Sequence, residues 1–145
     1  MNVLLLNGPN LNLLGEREPA VYGTTTLQQL EQLVSLRAAE LGCALRAFQS
    51  NHEGQLIDWL HEARHWAQGC IFNPGALTHY AWSLRDAVAS CPKVALVEVH
   101  LSEPRSREPF RHLSVLEGVA AHRIAGKGVA GYLEALEWLA RLPAR

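Results

Sequence analysis

Short apolar runs alternate along the chain with longer segments in which apolar residues recur every three or four positions. Val3–Leu6 is apolar throughout, which is typical of a parallel strand covered on both faces. In the segment 27–41 the apolar residues have helical spacing, with a capping box at Thr26 and Gln29 before it and Gly42 after it. The pattern predicts a buried strand followed by an amphipathic helix.

The same alternation continues to the end of the chain. Further strands are predicted at Ala44–Gln49, Cys70–Phe72, Val94–Val99 and, more weakly, Ala121–Ala125, and further helices at Gln55–Ala67, Thr78–Ser90 and Val129–Arg141. Strands that alternate with helices are typical of α/β folds with right-handed crossovers. We expect a flavodoxin-like doubly wound sheet of five parallel strands in the order 2-1-3-4-5, with helices on both faces.

Length and composition narrow the class of protein. The chain has 145 residues, 48% of them hydrophobic, so we expect one domain over residues 1–145. The formal net charge is -1 and the arginines are scattered, which argues against a nucleic-acid partner. No apolar stretch approaches the roughly 20 residues that span a bilayer, and no signal peptide is recognisable, so we expect no membrane association. Widely spaced Cys43, Cys70 and Cys91 are typical of reduced thiols and a cytoplasmic location.

Polar residues follow the first, third and fourth predicted strands where each strand ends. They are Asn7, Asn10, Arg17 and Tyr22 after the first, Asn73 and His79 after the third, and Glu98, His100 and Ser102 on and after the fourth. In doubly wound sheets ligands bind at this edge, near the switch point between strands 1 and 3. The clusters therefore predict one crevice, with the long loop 7–23 as its binding loop or lid.

Two motifs point to other chemistry. His61, Glu62 and His65 match HExxH, the pattern of a helical zinc site, but both histidines fall opposite the apolar face of the predicted helix. Gly126 and Gly131 belong to a GxGxxG pattern, yet the chain ends before the second strand and acidic residue that a dinucleotide site requires. We interpret the first as a solvated helix face and the second as a tight turn, and expect no metal and no cofactor.

Tyr22 and Arg17 suit the removal of a proton beside a carbonyl group. A phenol is a poor base until it ionises, and an adjacent guanidinium stabilises the phenolate. Each residue alone is more typical of a packed loop aromatic or a solvated charge, so only the pair carries this interpretation.

Glu98 and His100 are two positions apart on a strand, so their side chains lie on the same face. On a buried strand such a pair is unfavourable unless its members bind each other. A carboxylate orients an imidazole and favours the imidazolium, so His100 is a candidate general acid, although a purely structural pair remains the alternative. Asn73 can hold water or a substrate oxygen from a turn, and we expect His79 and Asp86 on one face of the next helix.

Six ordered segments together resemble the type II 3-dehydroquinate dehydratase family. They are NGPNLNLLGEREPAVYG, QSNHEGQLIDWLHEA, NPGALTH, VEVHLS, REPFRHLS and GKGVAGY, spread over nearly the whole chain. The resemblance implies a lyase that removes water from 3-dehydroquinate by trans elimination through an enolate and gives 3-dehydroshikimate. It also implies assembly into a homododecamer of four trimers. The enzyme would serve either the biosynthesis of aromatic compounds through the shikimate pathway or the breakdown of quinate.

The resemblance also assigns roles to residues of this chain. It implies Tyr22 as base, Arg17 as its activator and His100 as proton donor, with Asn10 and Glu98 in support. Substrate contacts are implied for Asn73, His79, Leu101, Ser102 and Arg111, and for Asp86 in a neighbouring subunit's site. Tyr80 and Ala81, Glu103 and His122 depart from the family's usual residues. A flavin- or nucleotide-binding domain and a zinc hydrolase stay open as alternatives, because the fold alone permits the first and HExxH the second.

Overall fold

A five-stranded parallel sheet lies at the centre of the computed structural model, which describes residues 1–144. The strands are β1 (Asn2–Asn7), β2 (Ala44–Gln49), β3 (Gly69–Asn73), β4 (Ala95–His100) and β5 (His122–Ala125). Their order is β2-β1-β3-β4-β5, and every neighbouring pair is parallel. The flavodoxin-like topology predicted from the alternation is confirmed.

Helices cover both faces of the sheet. They are α1 (Pro19–Tyr22), α2 (Leu27–Glu40), α3 (Glu53–Ala63), α4 (Trp82–Ala89) and α5 (Ala130–Ala140). Successive residues of β1 point to opposite faces, so Leu4 and Leu6 pack with α3 and α4, whereas Val3 and Leu5 pack with α2 and α5. All four residues are completely buried, which explains the uninterrupted apolar run in the sequence. Within residues 1–144 no helix is long and apolar enough to cross a membrane.

The predicted helix Thr78–Ser90 is wrong as one element. A 3₁₀ turn occupies Gly75–His79, and α4 begins only at Trp82. In a continuous helix the carbonyl oxygen of Thr78 would accept from the N–H of Trp82, but it accepts from Val115 at 2.7 Å instead. A long-range hydrogen bond therefore interrupts the helix at Tyr80.

Two other predictions of local structure are also corrected. The third helix spans Glu53–Ala63 rather than 55–67, because residues after Ala63 form a turn. The segment 7–23 is not one irregular loop, since it contains a 3₁₀ turn at Leu11–Leu13 and the short helix α1. Leu11 and Leu14 are buried in the core and hold this segment on the sheet. The remaining predicted boundaries differ from the observed ones by no more than one residue.

Glycines allow the segments after β1 and β3 to lie directly against each other. The N–H of Gly8 donates to the carbonyl oxygen of Asn73 at 2.7 Å. A Cβ on Gly8 would lie 2.7 Å from the carbonyl oxygen of Pro74, and a Cβ on Gly75 would lie 3.0 Å from that of Pro9. No side chain fits between the two strand ends, so the sequence places glycine on both sides of the contact.

We predict that Gly8→Ala lowers the free energy of unfolding by about 1–3 kcal/mol, because the new methyl group meets rigid backbone. Gly54→Ala is the matched control, since a Cβ at Gly54 meets nothing within 4 Å and alanine favours the helix by up to about 1 kcal/mol. Urea denaturation of both variants measures the difference. Equal stability of the two variants would contradict the close contact at Gly8.

Candidate active site

A cavity of about 240 Å³ opens at the carboxyl ends of β1, β3 and β4. Most of the predicted site residues line it, namely Asn10, Arg17, Tyr22, Asn73, His79, His100, Leu101, Ser102 and Arg111. Glu98 lies behind His100, and Asp86 is exposed on α4 outside the cavity. The structure thus gathers residues that are up to 101 positions apart into one crevice.

The cavity carries positive charge. Arg17, Arg107 and Arg111 line it, and no carboxylate of residues 1–144 is among the lining side chains. The arginines supply a local field that the overall charge of the chain does not. Such a cavity favours an anionic small molecule.

Two arginines bind the hydroxyl of Tyr22. Arg107 Nη1 donates to Tyr22 Oη at 2.8 Å, and Arg17 Nη2 donates to the same oxygen at 3.4 Å. The guanidinium of Arg17 also lies 4.5 Å from the ring centroid. The half-buried phenol sits at the end of α1, which Pro19 begins. Both guanidinium groups stabilise negative charge on this oxygen.

Glu98 is a fully buried carboxylate that holds His100. His100 Nε2 donates to Glu98 Oε2, Thr78 Oγ1 donates to the same oxygen at 2.6 Å, and Ser114 Oγ donates to Oε1 at 2.8 Å. Burial opposes ionisation, but the hydrogen bonds from His100, Thr78 and Ser114 outweigh it and lower the pKa of Glu98 to about 2. Arg123 Nε lies 3.7 Å from Oε2 on the neighbouring strand. Glu98 is therefore ionised and fixes the imidazole of His100, whose Nδ1 is left for the cavity.

His79 and Asp86 do not share a helix face as predicted, because the break at Tyr80 separates them. His79 ends the 3₁₀ turn, and its Nδ1 donates to the carbonyl oxygen of Leu113 at 2.7 Å. Burial lowers the pKa of His79, so the ring is held neutral with Nε2 as an acceptor. Asp86 is exposed and makes no contact with this cavity.

The side chain of Asn73 is held at both ends of its amide. Its Oδ1 accepts from the N–H of Gly75 at 3.0 Å, and its Nδ2 donates to the hydroxyl of Tyr132 at 2.8 Å. Asn10 lies opposite, where its positive φ of 70° turns the chain after β1. The two asparagines thus enter the cavity from two adjacent strand ends.

The glycines after β5 support the segment that follows His100. The N–H of Gly128 donates to the carbonyl oxygen of Leu101 at 3.0 Å, and the N–H of Gly126 donates to the carbonyl oxygen of Ser102 at 3.1 Å. Both glycines have positive φ, 57° and 78°. The GxGxxG pattern therefore forms a turn that packs against the site, as interpreted from the sequence.

Comparison with known proteins decides the family. The family model described as dehydroquinase class II matches residues 1–140. The 3-dehydroquinate dehydratase of Roseiflexus castenholzii is 55% identical over 140 residues, which cover 96% of this chain and 88% of that protein. The 3-dehydroquinate dehydratase of Anoxybacillus flavithermus is 56% identical over 129 residues, 89% of this chain and 86% of that protein. The chain belongs to the class II dehydroquinase family.

Solved structures agree with this assignment. The type II dehydroquinase of Butyrivibrio crossotus superposes with a TM-score of 0.94 at 41% identity, over 96% of this chain and 97% of that chain. A 3-dehydroquinate dehydratase-like protein of Bifidobacterium longum superposes with a TM-score of 0.73 at 29% identity, over 97% and 95% of the two chains. The resemblance read from the six sequence segments is confirmed.

Residues that depart from the usual class II dehydroquinase pattern lie outside the cavity. Glu103 accepts from the backbone N–H of Arg105 at 3.1 Å, so its carboxylate caps its own turn. Tyr80 is 63% exposed. His122 stacks on Trp138 with ring centroids 5.0 Å apart. The carboxylate of Glu103 is therefore engaged in its own turn and does not line the cavity.

The HExxH residues are separate from this dehydroquinase site. His61 and His65 are exposed, and His65 lies beyond the end of α3. Among residues 1–144 no three His, Cys, Asp or Glu side chains are grouped so that they could hold a metal ion. No lysine lines the cavity in the described part of the chain, and Lys127 binds Glu134 at 2.7 Å instead.

Sequence reasoning missed four side chains of the site. Arg107 stands in the same REPFRHLS segment as Arg111, and its spacing of four from Arg111 is the only signal that pointed to it. Thr78 and Ser114 are short hydroxyl residues that no pattern distinguishes, and both bind Glu98. Tyr132 matched an ordinary core position of the last helix.

We predict that Glu98 makes the stability of the protein depend on acid pH. Its folded pKa of about 2 lies below the ordinary value of 4.5, so its ionised form stabilises the fold fully above about pH 5 and the effect is lost toward pH 2. The free energy of unfolding, relative to Glu98→Gln at the same pH, should fall by about 3 kcal/mol over that range. Parallel stability curves for the two proteins in urea would contradict the assignment.

Proposed function

We propose that Tyr22 and His100 perform the two proton transfers by which this chain converts 3-dehydroquinate to 3-dehydroshikimate. Dehydration of 3-dehydroquinate is the activity of the class II dehydroquinase family. The observation that carries the assignment is the contact of two guanidinium groups with one tyrosine oxygen in a cavity that also holds the His100–Glu98 pair.

The first step is removal of a proton from the carbon beside the ketone. Tyr22, as a phenolate stabilised by Arg17 and Arg107, takes this proton, and the electron pair of the C–H bond moves toward the ketone oxygen. The resulting enolate oxygen is held by Asn73 through a water molecule. Hydrogen bonds directed at a developing oxyanion accelerate such a step because they strengthen as charge appears.

The second step is loss of the hydroxyl group β to the ketone. The enolate electrons re-form the ketone and a carbon–carbon double bond, and the C–O bond breaks as His100 Nδ1 gives its proton to the departing oxygen. Ionised Glu98 stabilises the imidazolium before transfer and holds the ring through Nε2. The substrate C–H gives its proton to Tyr22, and the departing hydroxyl takes a proton from His100 and leaves as water, so the proposed steps use no metal and no organic cofactor.

The rest of the cavity binds the substrate. We assign the substrate carboxylate to Ser102 and the backbone of Leu101, and a hydroxyl group to Arg111, with further contacts from His79 and Asn10. The positive lining of the cavity favours this orientation of a carboxylate-bearing substrate.

A neighbouring subunit completes the site in this proposal, and twelve chains assemble as four trimers. Asp86 is exposed on α4 and outside its own cavity, so it is available to a second copy. Trp82 and Phe110 are 57% and 59% exposed, and burial of such large apolar side chains stabilises an interface. Light scattering should give the mass of twelve chains.

We also place the enzyme in the cytoplasm, in keeping with its three free cysteines.

The activity is tested by adding purified protein to 3-dehydroquinate. The product is a conjugated enone, so ultraviolet absorbance should rise with time. A flat trace, together with a flavin absorbance spectrum of the purified protein, would favour the alternative of a flavin-binding domain.

We predict that Tyr22→Phe lowers kcat by about 10²–10⁴-fold, the usual contribution of a general base, while the protein stays folded. Arg17→Ala and Arg107→Ala should each cause a large part of the same loss, because the three groups act as one base and their effects do not add. Tyr80→Phe removes an identical hydroxyl from an exposed position and should leave kcat unchanged. Normal turnover by Tyr22→Phe would refute the assignment of the base.

We predict that His100→Ala impairs loss of the hydroxyl group more than removal of the proton. In deuterated solvent the variant should still exchange the acidic hydrogen of 3-dehydroquinate while the product forms slowly, which NMR follows directly. His61→Ala is the control, since this exposed histidine lies outside the cavity and should leave both rates unchanged. Equal loss of exchange and elimination in His100→Ala would show that His100 only supports the site.

A further inference from the structure

Tyr132 lies near the start of α5 with its whole side chain buried, and the proposed mechanism gives it no role. Its hydroxyl donates to Asn7 Oδ1 at 2.7 Å and accepts from Asn73 Nδ2 at 2.8 Å. Asn7 and Asn73 are register partners at the carboxyl ends of β1 and β3. One phenol from a helix therefore joins the side chains of the two strands that flank the switch point.

The direction of these hydrogen bonds fixes the orientation of the Asn73 amide. The N–H of Gly75 requires an acceptor and finds Asn73 Oδ1 at 3.0 Å, so the amide nitrogen must face Tyr132. A reversed amide would place its NH₂ group against the Gly75 N–H, donor against donor. The single hydroxyl hydrogen of Tyr132 goes to Asn7, which leaves its oxygen free to accept from Asn73.

One amide hydrogen of Asn73 remains for the cavity. Nδ2 carries two hydrogens, of which Tyr132 accepts one, and no other acceptor for this nitrogen occurs among residues 1–144. Because a planar amide anchored through both its oxygen and its nitrogen cannot rotate, the second N–H has one fixed direction. Asn73 lines the cavity beside His100, so this N–H is the group that the side chain offers to a bound molecule.

We propose that Tyr132 is a positioning residue for the dehydration, because it holds the free N–H of Asn73 toward the enolate oxygen or the water bound to that oxygen. The inference rests on the role proposed above for Asn73. Tyr132 itself transfers no proton. Burial raises the pKa of its hydroxyl far above the ordinary value, so the group remains a neutral donor and acceptor.

The first test is Tyr132→Phe, which removes only the hydroxyl. We expect kcat to fall about 10-fold while KM stays within about 2-fold, because the enolate forms during turnover and not on substrate binding. The variant also leaves polar atoms of Asn7 and Asn73 unpaired in the core and should melt at a lower temperature. Val34→Ala is the control for this effect, since it truncates a fully buried side chain of α2 outside the cavity and should lower Tm without changing kcat.

The second test combines Tyr132→Phe with Asn73→Ala. If Tyr132 acts through Asn73, the double variant turns over as fast as Asn73→Ala alone, whereas independent losses multiply and overturn the proposal. Wild-type kcat in folded Tyr132→Phe overturns it as well, while wild-type kcat in Asn73→Ala overturns the proposed role of Asn73 itself.

The third variant, Asn7→Ala, covers the case in which Tyr132→Phe does not fold. This variant keeps the Tyr132 hydroxyl but removes Asn7 Oδ1, the oxygen to which that hydroxyl donates. The hydroxyl hydrogen then turns toward Asn73 Nδ2, where it meets the amide N–H that the Tyr132 oxygen accepts. We expect a lowered kcat with KM again within about 2-fold, because the Asn73 amide loses its fixed orientation. Folded Asn7→Ala with the kcat of the wild type would overturn the proposal.

Discussion

The carboxylate of Glu98 places a negative charge inside the sheet, on a strand whose six residues are all buried. An ionised group in such a position is strongly unfavourable unless hydrogen bonds and opposite charge surround it. His100 supplies one partner from the same strand, and Thr78 and Ser114 supply two more from segments distant in sequence. Satisfying this one charge therefore fixes the turn after β3 and the segment after residue 113 on the sheet, and with them the walls of the cavity.

A second constraint is the close backbone contact between the segments that follow β1 and β3, which leaves no room for side chains between them. Gly8 and Gly75 let the backbones touch, and the N–H of Gly8 binds the carbonyl oxygen of Asn73. This contact brings Asn10 and Asn73, which follow adjacent strands, into the cavity that Ser102 of the segment after β4 also lines. The backbone at the ends of β1 and β3 is thus held in place, and only protons and the substrate need to move during the proposed reaction.

Apolar runs predicted β1, β3 and β4 well because these three strands are covered on both faces, and burial of that kind leaves a mostly apolar run in the sequence. The helix predicted over 78–90 failed because a hydrogen bond from Val115 to Thr78 overrides a helical pattern, and no local pattern reports such a bond. The pairing of Glu98 with His100 was predictable from strand periodicity, whereas the contact of Arg107 with Tyr22 joins residues 85 positions apart and was not. The resemblance to a family supplied the substrate, which spacing alone does not encode.

The central claim is that a tyrosinate base and a histidine acid act in sequence on opposite faces of a β-hydroxy ketone. Its most direct test uses 3-dehydroquinate carrying deuterium at one of the two hydrogens beside the ketone, with NMR analysis of the 3-dehydroshikimate formed. The account predicts loss of the hydrogen on the face opposite the departing hydroxyl, so deuterium placed there disappears and deuterium on the other face is retained. Retention of the opposite label and loss of the other would contradict trans elimination and the roles given to Tyr22 and His100.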